Sequence, residues 1–310
     1  EIVSWNFELI VEPYGGVAEG PAWDGGGLLF TQIHACRILR YDPRTGSCAV
    51  YRQNTNYTNG LMFDPQGNLY ACQGGGRAVV RYEPGGGVTV LAGSFEGKRL
   101  NLPNDLAIDL AGRIWFTDPW YEGAAGPWSK DRSLMELDHE SVYRLDPEPG
   151  GAWSIHRVTF DTTRPNGILF SLDYRTLYVA QSGRLPEEKR ELRAYPVHAG
   201  GTLGAPAILH DFGEWRGIDG MCLDTEGNIV ATAGTAEGGP GPMIYVFSPA
   251  GEILERHPIA CSKPTNCTFG GEDLRTLYVT SIEGCLFRAS TGRQGSPDLL
   301  RGGTPSGGLK

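Results

Sequence analysis

The stretch "LPNDLAIDLAGRIWFTD", from Leu102 to Asp118, combines a polar start with a strand, a turn and a second strand. Its second part has apolar residues on both sides of a turn that contains Gly112. Two short apolar segments separated by such a turn predict an antiparallel β-hairpin. The first part places Asn104 directly before the apolar strand, where a polar residue needs its own explanation.

The strand–turn–strand pattern recurs along the chain. Its second strand opens with "GLLF" (27–30), "GNLY" (67–70), "GRIW" (112–115), "RTLY" (175–178), "GNIV" (227–230) and "RTLY" (275–278). A short apolar strand precedes each copy, and most copies continue into a third strand, a Pro or Gly turn and a fourth strand. Six units of four antiparallel strands predict an all-β fold, a six-bladed β-propeller, because stacked blades bury faces that one blade cannot bury. We expect a single propeller domain over residues 1–310, with residues 8–12 closing the ring in the last blade.

Composition and charge exclude several classes of protein. The 310 residues are 40% hydrophobic and include 45 Gly and 21 Pro, which favours an all-β chain with many turns. A formal net charge of −9 without a basic stripe argues against nucleic acid as a partner. No apolar run is long enough to span a bilayer, so we expect no membrane partner.

The sequence says less about compartment and assembly. No signal peptide is visible, so we expect a cytoplasmic protein, or a periplasmic or secreted one if a leader preceded Glu1. Seven scattered Cys favour buried reduced thiols, with a Cys261–Cys267 bond as the alternative in a secreted protein. The oligomeric state cannot be read from the chain.

A polar residue recurs at one position in every repeat. Counting back eleven or twelve residues from the end of each second-strand tetrad reaches a carboxylate or an amide in all six copies: Glu19, Asn59, Asn104, Asn166, Asp219 and Asn266. We call these six the ring residues. Each begins the inner strand of its blade, and inner strands converge on the central channel. The ring residues are therefore predicted to surround the axis at one end of the propeller.

The chemistry of this ring predicts a metal site. Two carboxylates and four amides offer only oxygen donors, without His or Cys. Oxygen ligation favours one divalent cation, Ca²⁺ first, with Mg²⁺, Mn²⁺, Zn²⁺ or Fe²⁺ as alternatives. A preference of Asn for turns explains some of the amides. It does not explain Glu19 and Asp219 in the same register, since buried carboxylates repel each other unless a cation or proton intervenes.

At these residues the chain resembles the SMP-30/gluconolactonase/luciferin-regenerating family. The motifs that carry the resemblance are "EGPAW" (19–23), "LPNDLAIDLAGRIWFTDP" (102–119), "RPNGILFSLDYRTLYVAQS" (164–182) and "GIDGMCLDTEGNIVAT" (217–232). They occur in order over nearly the whole chain. The family in turn resembles diisopropyl-fluorophosphatase in fold and metal centre. The resemblance implies a six-bladed propeller with a central divalent metal and hydrolysis of a lactone.

Matched residue by residue, the resemblance implies these metal ligands: Glu19, Asn104, Asn166 and Asp219. Asn59 and Asn266 are then expected next to the metal or facing the substrate. Two positions depart from the family pattern. Leu102 stands where some members carry a sugar-binding Arg, and Gln32 stands where an Asp is common. The resemblance thus implies lactone chemistry without fixing a sugar as the substrate.

The predicted activity is metal-dependent ring-opening hydrolysis of a small-molecule lactone, which is a carboxylic ester. The predicted catalytic residues are Asp219, as general base or as nucleophile, and Asn104, which holds the metal and leaves a position open for substrate. A phosphotriesterase, a strictosidine-synthase-like propeller and an NHL-type propeller that binds without chemistry are the alternatives. Glu19 and Asp219 favour an enzyme over the NHL-type module, which needs no carboxylate pair.

Loops at the metal end outline a substrate pocket. Strand direction returns the connections between second and third strands to that end. The segments placed there are His34 and residues 74–76, 119–140, 183–189, 235–241 and 282–284, of which 119–140 is the longest. The long segment carries Trp120, Tyr121 and Trp128 and either covers the substrate as a lid or packs its rings on the neighbouring blade. His34 is a proton shuttle or a solvent-facing loop residue. The predicted substrate-binding residues are Asn59, Asn266, His34, Trp120 and Tyr121.

Overall fold

Six small antiparallel sheets make up the fold. The computed structural model describes residues 4–13 and 15–297, which form six four-stranded sheets and one two-stranded hairpin, Ser94–Phe95 with Lys98–Arg99. The sheets are the blades of a six-bladed β-propeller, which confirms the predicted fold class. The predicted domain, residues 1–310, also contains residues 1–3, 14 and 298–310, which lie outside the described residues.

Each blade runs outward from an inner strand. Blade 1 contains Ala18–Trp23, Leu28–Gln32, Arg37–Asp42 and Ser47–Gln53. Blade 2 contains Thr58–Phe63, Leu69–Gln73, Ala78–Tyr82 and Val88–Ala92. Blade 3 contains Leu106–Ile108, Ile114–Asp118, Ser141–Pro147 and Trp153–Arg157. Blade 4 contains Pro165–Phe170, Thr176–Gln181, Glu191–Pro196 and Ala207–Asp211. Blade 5 contains Ile218–Leu223, Ile229–Thr235, Gly238–Phe247 and Ile253–Pro258.

Blade 6 joins the two ends of the described chain. Its inner three strands are Pro264–Gly270, Thr276–Ser281 and Leu286–Ser290, and its outer strand is Glu8–Val11. The outer strand pairs antiparallel with Leu286–Ser290, with Glu8 opposite Arg288. The Arg288 guanidinium also forms an ion pair with the Glu8 carboxylate at 2.8 Å. The prediction that residues 8–12 join the last blade is confirmed for Glu8–Val11, and Glu12 lies just beyond the strand.

Apolar side chains between neighbouring blades form the core. Trp115 of blade 3 and Phe170 of blade 4 are buried, with ring centroids 5.5 Å apart in an edge-to-face arrangement. Burial of a side chain of this size contributes about 1.5–3 kcal/mol. Trp23 of blade 1 stacks on Tyr278 of blade 6 at 6.0 Å, so the packing continues across the junction of the first and last blades.

Three 3₁₀ turns lie in the described part of the chain. Pro127–Lys130 and Arg132–Leu134 lie within residues 119–140, and Pro149–Gly151 connects the last two strands of blade 3. None of them has the length and apolarity required to cross a bilayer.

All seven Cys are free thiols, but the prediction that they are buried holds only for Cys72, Cys222, Cys267 and Cys285, since Cys48 is exposed and Cys36 and Cys261 are half-buried. Cys222 and Cys267 are buried between blades 5 and 6, with their Sγ atoms 3.7 Å apart. Cys261 packs against the same apolar layer, and neither Cys261 nor Cys267 forms a disulfide.

Candidate metal centre and substrate pocket

A β-bulge marks the start of the inner strand in five blades. Pairing between the inner and second strands shifts register within one or two residues of five ring residues, namely Glu19, Asn59, Asn166, Asp219 and Asn266. In blade 3, Asn104 comes just before the short inner strand Leu106–Ile108. Bulges bend a strand and redirect its side chains. The local backbone thus turns the ring residues away from the blade surface.

Glycine lets the inner strands approach one another at the ring. In four blades the residue after the ring residue is Gly20, Gly60, Gly167 or Gly220. A Cβ atom on Gly20 would lie 2.2 Å from the Asn59 carbonyl oxygen, and one on Gly220 would lie 2.0 Å from the Asn266 side chain. Only a residue without Cβ fits such an approach.

Hydrogen bonds between adjacent blades hold the ring residues at all six junctions. The Thr31 hydroxyl donates to the Asn59 carbonyl oxygen at 3.0 Å, and the Thr117 hydroxyl donates to the Asn166 carbonyl oxygen at 2.8 Å. The other four junctions are spanned by Gly60 N to Asn104 O, Ser182 Oγ to Ile218 O, Thr232 Oγ1 to Thr265 O and Thr265 Oγ1 to Ala18 O. Every acceptor is the carbonyl of a ring residue or of the residue before it.

Glu19 and Asp219 meet across the ring. Burial, together with the charges of Asp219 and Asp105, raises the pKa of Glu19 well above its usual value. Burial also raises the pKa of Asp219, although the charges of Arg216 and Arg184 and a hydrogen bond with Glu19 oppose that rise. Arg216 Nη2 donates to Asp219 Oδ2 at 2.6 Å and so engages one of the two carboxylate oxygens. Carboxylates this close are tolerated when a proton or cation lies between them.

Two amide oxygens of the ring have no hydrogen-bond partner. The Oδ1 atoms of Asn59 and Asn104 are buried and accept no hydrogen bond from the described residues, although nearly all buried polar atoms in proteins are paired. The Asn166 amide nitrogen donates to the Tyr121 hydroxyl at 3.3 Å, which fixes the orientation of that amide. Unpaired carbonyl oxygens beside two carboxylates are the donor set of a hard divalent cation. The residues present therefore fit the predicted metal.

Within residues 4–13 and 15–297, no three His, Cys, Asp or Glu side chains come together in an arrangement that could hold a metal. The ligand set predicted from the sequence is of a different kind, since it contains two carboxylates and two Asn amides.

A third carboxylate at the ring, Asp105, escaped the sequence reasoning. It follows Asn104 directly, at the position that Gly occupies in four other blades. Asn266 Nδ2 donates to Asp105 Oδ2 at 3.3 Å and to Glu19 Oε2 at 3.1 Å, so this amide links the two carboxylates. Burial raises the pKa of Asp105 to about 7. The break in the Gly pattern was the signal available in the sequence.

Two adjoining cavities open on the ring. The first, which we call the axial cavity, has a volume of about 240 Å³ and is lined by five ring residues, Glu19, Asn59, Asn104, Asn166 and Asp219, with His34, Tyr121 and Arg184 from the loops. The second, which we call the side cleft, has a volume of about 610 Å³ and shares Tyr121, Asn166, Arg184 and Asp219 with the first. A concave site of this size suits a small molecule.

His34 and Tyr121 border the axial cavity, as the sequence predicted for a substrate pocket. His34 is exposed, with Nε2 3.2 Å from the Gly123 carbonyl oxygen. The Tyr121 hydroxyl is buried within hydrogen-bonding distance of the Arg164 and Ser182 carbonyl oxygens, at 3.1 and 3.2 Å. Burial raises the pKa of Tyr121, so its hydroxyl stays neutral.

Trp120 lies outside both cavities, and its geometry does not support the predicted contact with substrate. The side chain is fully buried, and its indole nitrogen donates to the Ser129 carbonyl oxygen at 3.1 Å. Its ring packs edge-to-face against Trp128 at 6.0 Å. The two tryptophans of residues 119–140 thus stabilise the segment itself, because they pack on each other and on Leu102 rather than facing the ring.

The same segment is fixed to blade 4 by Arg164. Arg164 Nη1 donates to the Trp120 carbonyl oxygen at 3.0 Å and to Glu122 Oε2 at 2.9 Å, and its Nε donates to Glu188 at 2.8 Å. Burial raises the pKa of Glu122, but Arg164 and then Arg132 outweigh it and lower that pKa to about 2. Glu122 is therefore a fixed anion at the wall of the axial cavity.

Comparison with known proteins places the chain in a family. The model of the SMP-30/gluconolactonase/LRE-like region matches residues 17–283. The chain belongs to this family. A gluconolactonase of Zymomonas mobilis is 29% identical over 291 residues, which cover 85% of this chain and 76% of the relative. The resemblance identified from the four motifs is thereby confirmed.

Solved structures of the family share the fold. A gluconolactonase from Xanthomonas campestris is 31% identical, with a TM-score of 0.78 over 92% of this chain and 89% of its own. A regucalcin of Agrobacterium tumefaciens, described as a calcium-binding protein, is 19% identical with a TM-score of 0.72 over 95% of each chain, and this likeness concerns the fold alone.

Proposed function

We propose that the protein is a metal-dependent lactonase that opens the ring ester of a small-molecule lactone. One observation carries the proposal: Glu19 and Asp219 meet beside the unpaired carbonyl oxygen of Asn104. The gluconolactonase relatives support lactone hydrolysis as the reaction. The arrangement of side chains supports a divalent cation, Ca²⁺ in the first instance, because every donor is a hard oxygen.

In this proposal the cation is held by Glu19, Asn104, Asn166 and Asp219. When bound, it neutralises the two carboxylates and supplies Lewis-acid polarisation of the lactone carbonyl. Asn59 contributes its unpaired oxygen to the wall of the axial cavity, where it accepts a hydrogen bond from a substrate hydroxyl. Asn266 holds Glu19 in place through its amide nitrogen.

Asp219 has the position of a general base. Arg216 donates to Asp219 Oδ2 at 2.6 Å and so fixes the carboxylate, which lines the axial cavity, where it takes the proton of an attacking water. Direct attack of Asp219 on the lactone carbonyl is the alternative, and it yields an acyl-enzyme that water then hydrolyses. Tyr121 keeps Asn166 oriented in either case, since its neutral hydroxyl accepts the amide proton.

The variant Asp219→Asn tests the proposal. We expect it to lower kcat for glucono-1,5-lactone by roughly 100-fold or more, because an amide cannot accept the proton. Calcium affinity, measured by isothermal titration calorimetry, is expected to fall far less, since the amide oxygen still coordinates. The control is Glu252→Gln, which removes an exposed carboxylate from the opposite end of the same blade.

Two results would contradict parts of the proposal. An active Asp219→Asn enzyme would show that Asp219 is not the catalytic base or nucleophile. Activity that survives exhaustive chelation would refute the metal dependence of the reaction. Loss of activity on chelation and its recovery with Ca²⁺ would support that dependence.

A further inference from the structure

The side cleft next to the ring is lined by four cationic side chains: Arg184, Arg190, Arg216 and Lys263. Two of them form ion pairs with carboxylates of the protein. Arg216 pairs with Asp219 at 2.6 Å, and Lys263 pairs with Glu237 at 3.3 Å. The other two determine what the cleft can bind.

Within residues 4–13 and 15–297, neither Arg184 nor Arg190 forms an ion pair with a carboxylate. Arg190 is buried, with 8% of its surface exposed, and its guanidinium donates only to the backbone carbonyl oxygens of Leu185, Glu188 and Gly213. A buried guanidinium without a carboxylate is uncommon, because the charge has been removed from water without a counter-charge. The cleft therefore holds an unbalanced positive charge.

Arg184 is the cationic side chain of the side cleft that is placed to contact a bound ligand. It is exposed, and it lines both the axial cavity and the side cleft. Its guanidinium carbon lies 4.4 Å from the centroid of the Tyr121 ring, a cation–π contact that holds the planar group in place. The Tyr121 hydroxyl accepts a hydrogen bond from Asn166. Arg184 thus has a defined position relative to the ring residues.

The charges on the two sides of the axial cavity are balanced differently. On one wall Glu122 forms ion pairs with Arg164 and Arg132, which compensate its charge. On the other wall the side cleft has two guanidinium groups without an ion-paired carboxylate and one unmatched carboxylate, that of the exposed Glu214. The net positive charge of the cleft therefore attracts the negative group of a substrate. Its lactone ring is then directed to the ring residues.

We propose that the substrate is a lactone that carries a second, anionic group, a carboxylate or a phosphate, and that Arg184 binds this group with Arg190 behind it in the side cleft. The assignment rests on the proposed lactonase function and narrows it to a class of substrate. A guanidinium binds either group through two parallel hydrogen bonds, which Lys cannot reproduce.

The test compares matched ligands that differ in one group. Gluconate has a neutral end, glucarate a carboxylate and 6-phosphogluconate a phosphate at that end. We expect the calcium-loaded protein to bind one of the two probes with a second anionic group at least about 10-fold more tightly than gluconate, as measured by calorimetry, since a charge-assisted hydrogen bond is worth at least that factor. The tighter probe identifies the anionic group.

The variant Arg184→Gln is expected to lose this preference while still binding gluconate. Lys189→Gln is the matched control, because it removes one positive charge from the same loop at an exposed residue that lines neither cavity. It should keep the preference. Kinetics with glucono-1,5-lactone and 6-phosphogluconolactone should show the same pattern, with the change mainly in KM for the phosphorylated lactone.

Each failure has a distinct meaning. Equal affinity of the wild-type protein for gluconate, glucarate and 6-phosphogluconate overturns the anion site, even if all lactones are hydrolysed. A preference that Arg184→Gln retains also overturns it. Failure to hydrolyse any lactone, with the binding preference intact, refutes the lactonase function and leaves the anion site standing.

Discussion

Electrostatic repulsion limits how many of the ring residues can be carboxylates rather than amides. Glu19 already feels the charges of Asp219 and Asp105, which raise its pKa beyond the effect of burial. A carboxylate at Asn104 or Asn166 would add another negative charge, at a cost that grows as water is excluded. Asn supplies an oxygen donor without that charge. Two carboxylates among the four proposed ligands match the charge of one divalent cation.

Asp118 provides a pH-dependent test away from the metal. It is fully buried, and its Oδ2 accepts a hydrogen bond from Asn101 N at 2.8 Å while Oδ1 has no partner in the described residues. Burial raises its pKa to about 8 from an ordinary value of 3.8. The folded state therefore binds a proton that the unfolded state has released between these values. Stability is fully present below about pH 4 and falls by up to about 1.4 kcal/mol per pH unit as pH rises towards 8.

The variant Asp118→Asn should remove this pH dependence, because an amide imitates the protonated acid and does not titrate. Urea denaturation at pH 5, 6.5 and 8 should show that the free energy of unfolding of the variant increases relative to that of the wild type as pH rises. Asp138→Asn is the control, since Asp138 is exposed and its pKa is lowered by Arg157. Parallel profiles of wild type and Asp118→Asn would show that Asp118 is ionised in the folded protein.

At the scale of elements, one buried guanidinium joins two loops at the metal end. Arg164, which directly precedes the inner strand of blade 4, reaches Glu122 in the long segment of residues 119–140 and Glu188 in the next loop. The side chain of Arg164 is 3% exposed, that of Glu188 10% and that of Glu122 36%. Tyr121 and Arg184 are on these same loops, so Arg164 positions two walls of the pocket.

We expect Arg164→Met to destabilise the protein by about 2–4 kcal/mol, because it leaves Glu188 without its counter-charge and Glu122 with Arg132 alone. The measurement is the free energy of unfolding in urea at pH 7. Arg44→Gln is the control, since Arg44 is 79% exposed in its ion pair with Asp42, and exposed pairs contribute little to stability. Equal effects of the two variants would mean that burial of Arg164 does not set the strength of the contact.

The features that could be predicted from the sequence are those that depend on a repeated spacing. The blades and the ring residues follow from an interval of eleven or twelve residues that every copy preserves. Trp120 could not be placed in this way, because its segment occurs once and an aromatic residue packs equally well on a substrate or on Trp128. The loop 183–189 was placed at the metal end, but it has no counterpart in the other blades, so the role of Arg184 could not be derived from the repeat. Asp105 was missed because only the ring residues were followed, although it breaks the Gly pattern of the next position.

For the whole molecule, closure is what gives the ring its geometry. The outer strand Glu8–Val11 completes blade 6, and Thr265 of that blade donates to the Ala18 carbonyl oxygen of blade 1 at 2.6 Å. The hydrogen bonds between blades therefore form a closed circle rather than a chain with free ends. A change at one junction is transmitted to the ring residues on both sides, because neither blade can move without its other neighbour.

Thr117→Val tests this coupling between stability and the metal centre. Thr117 is fully buried, and its hydroxyl spans the junction to the Asn166 carbonyl oxygen. Valine has nearly the same shape but leaves that oxygen unpaired, which should cost about 1–3 kcal/mol in unfolding free energy. Calcium affinity should fall as well, because Asn104 and Asn166 lose their fixed separation. Thr117→Ser keeps the hydroxyl and should retain most of the stability and of the calcium affinity.

Thr89→Val is the second control. It removes an exposed hydroxyl from an outer strand and should leave calcium affinity unchanged. If Thr117→Val lowers stability while calcium binds as before, the circle of hydrogen bonds supports the fold without organising the metal ligands.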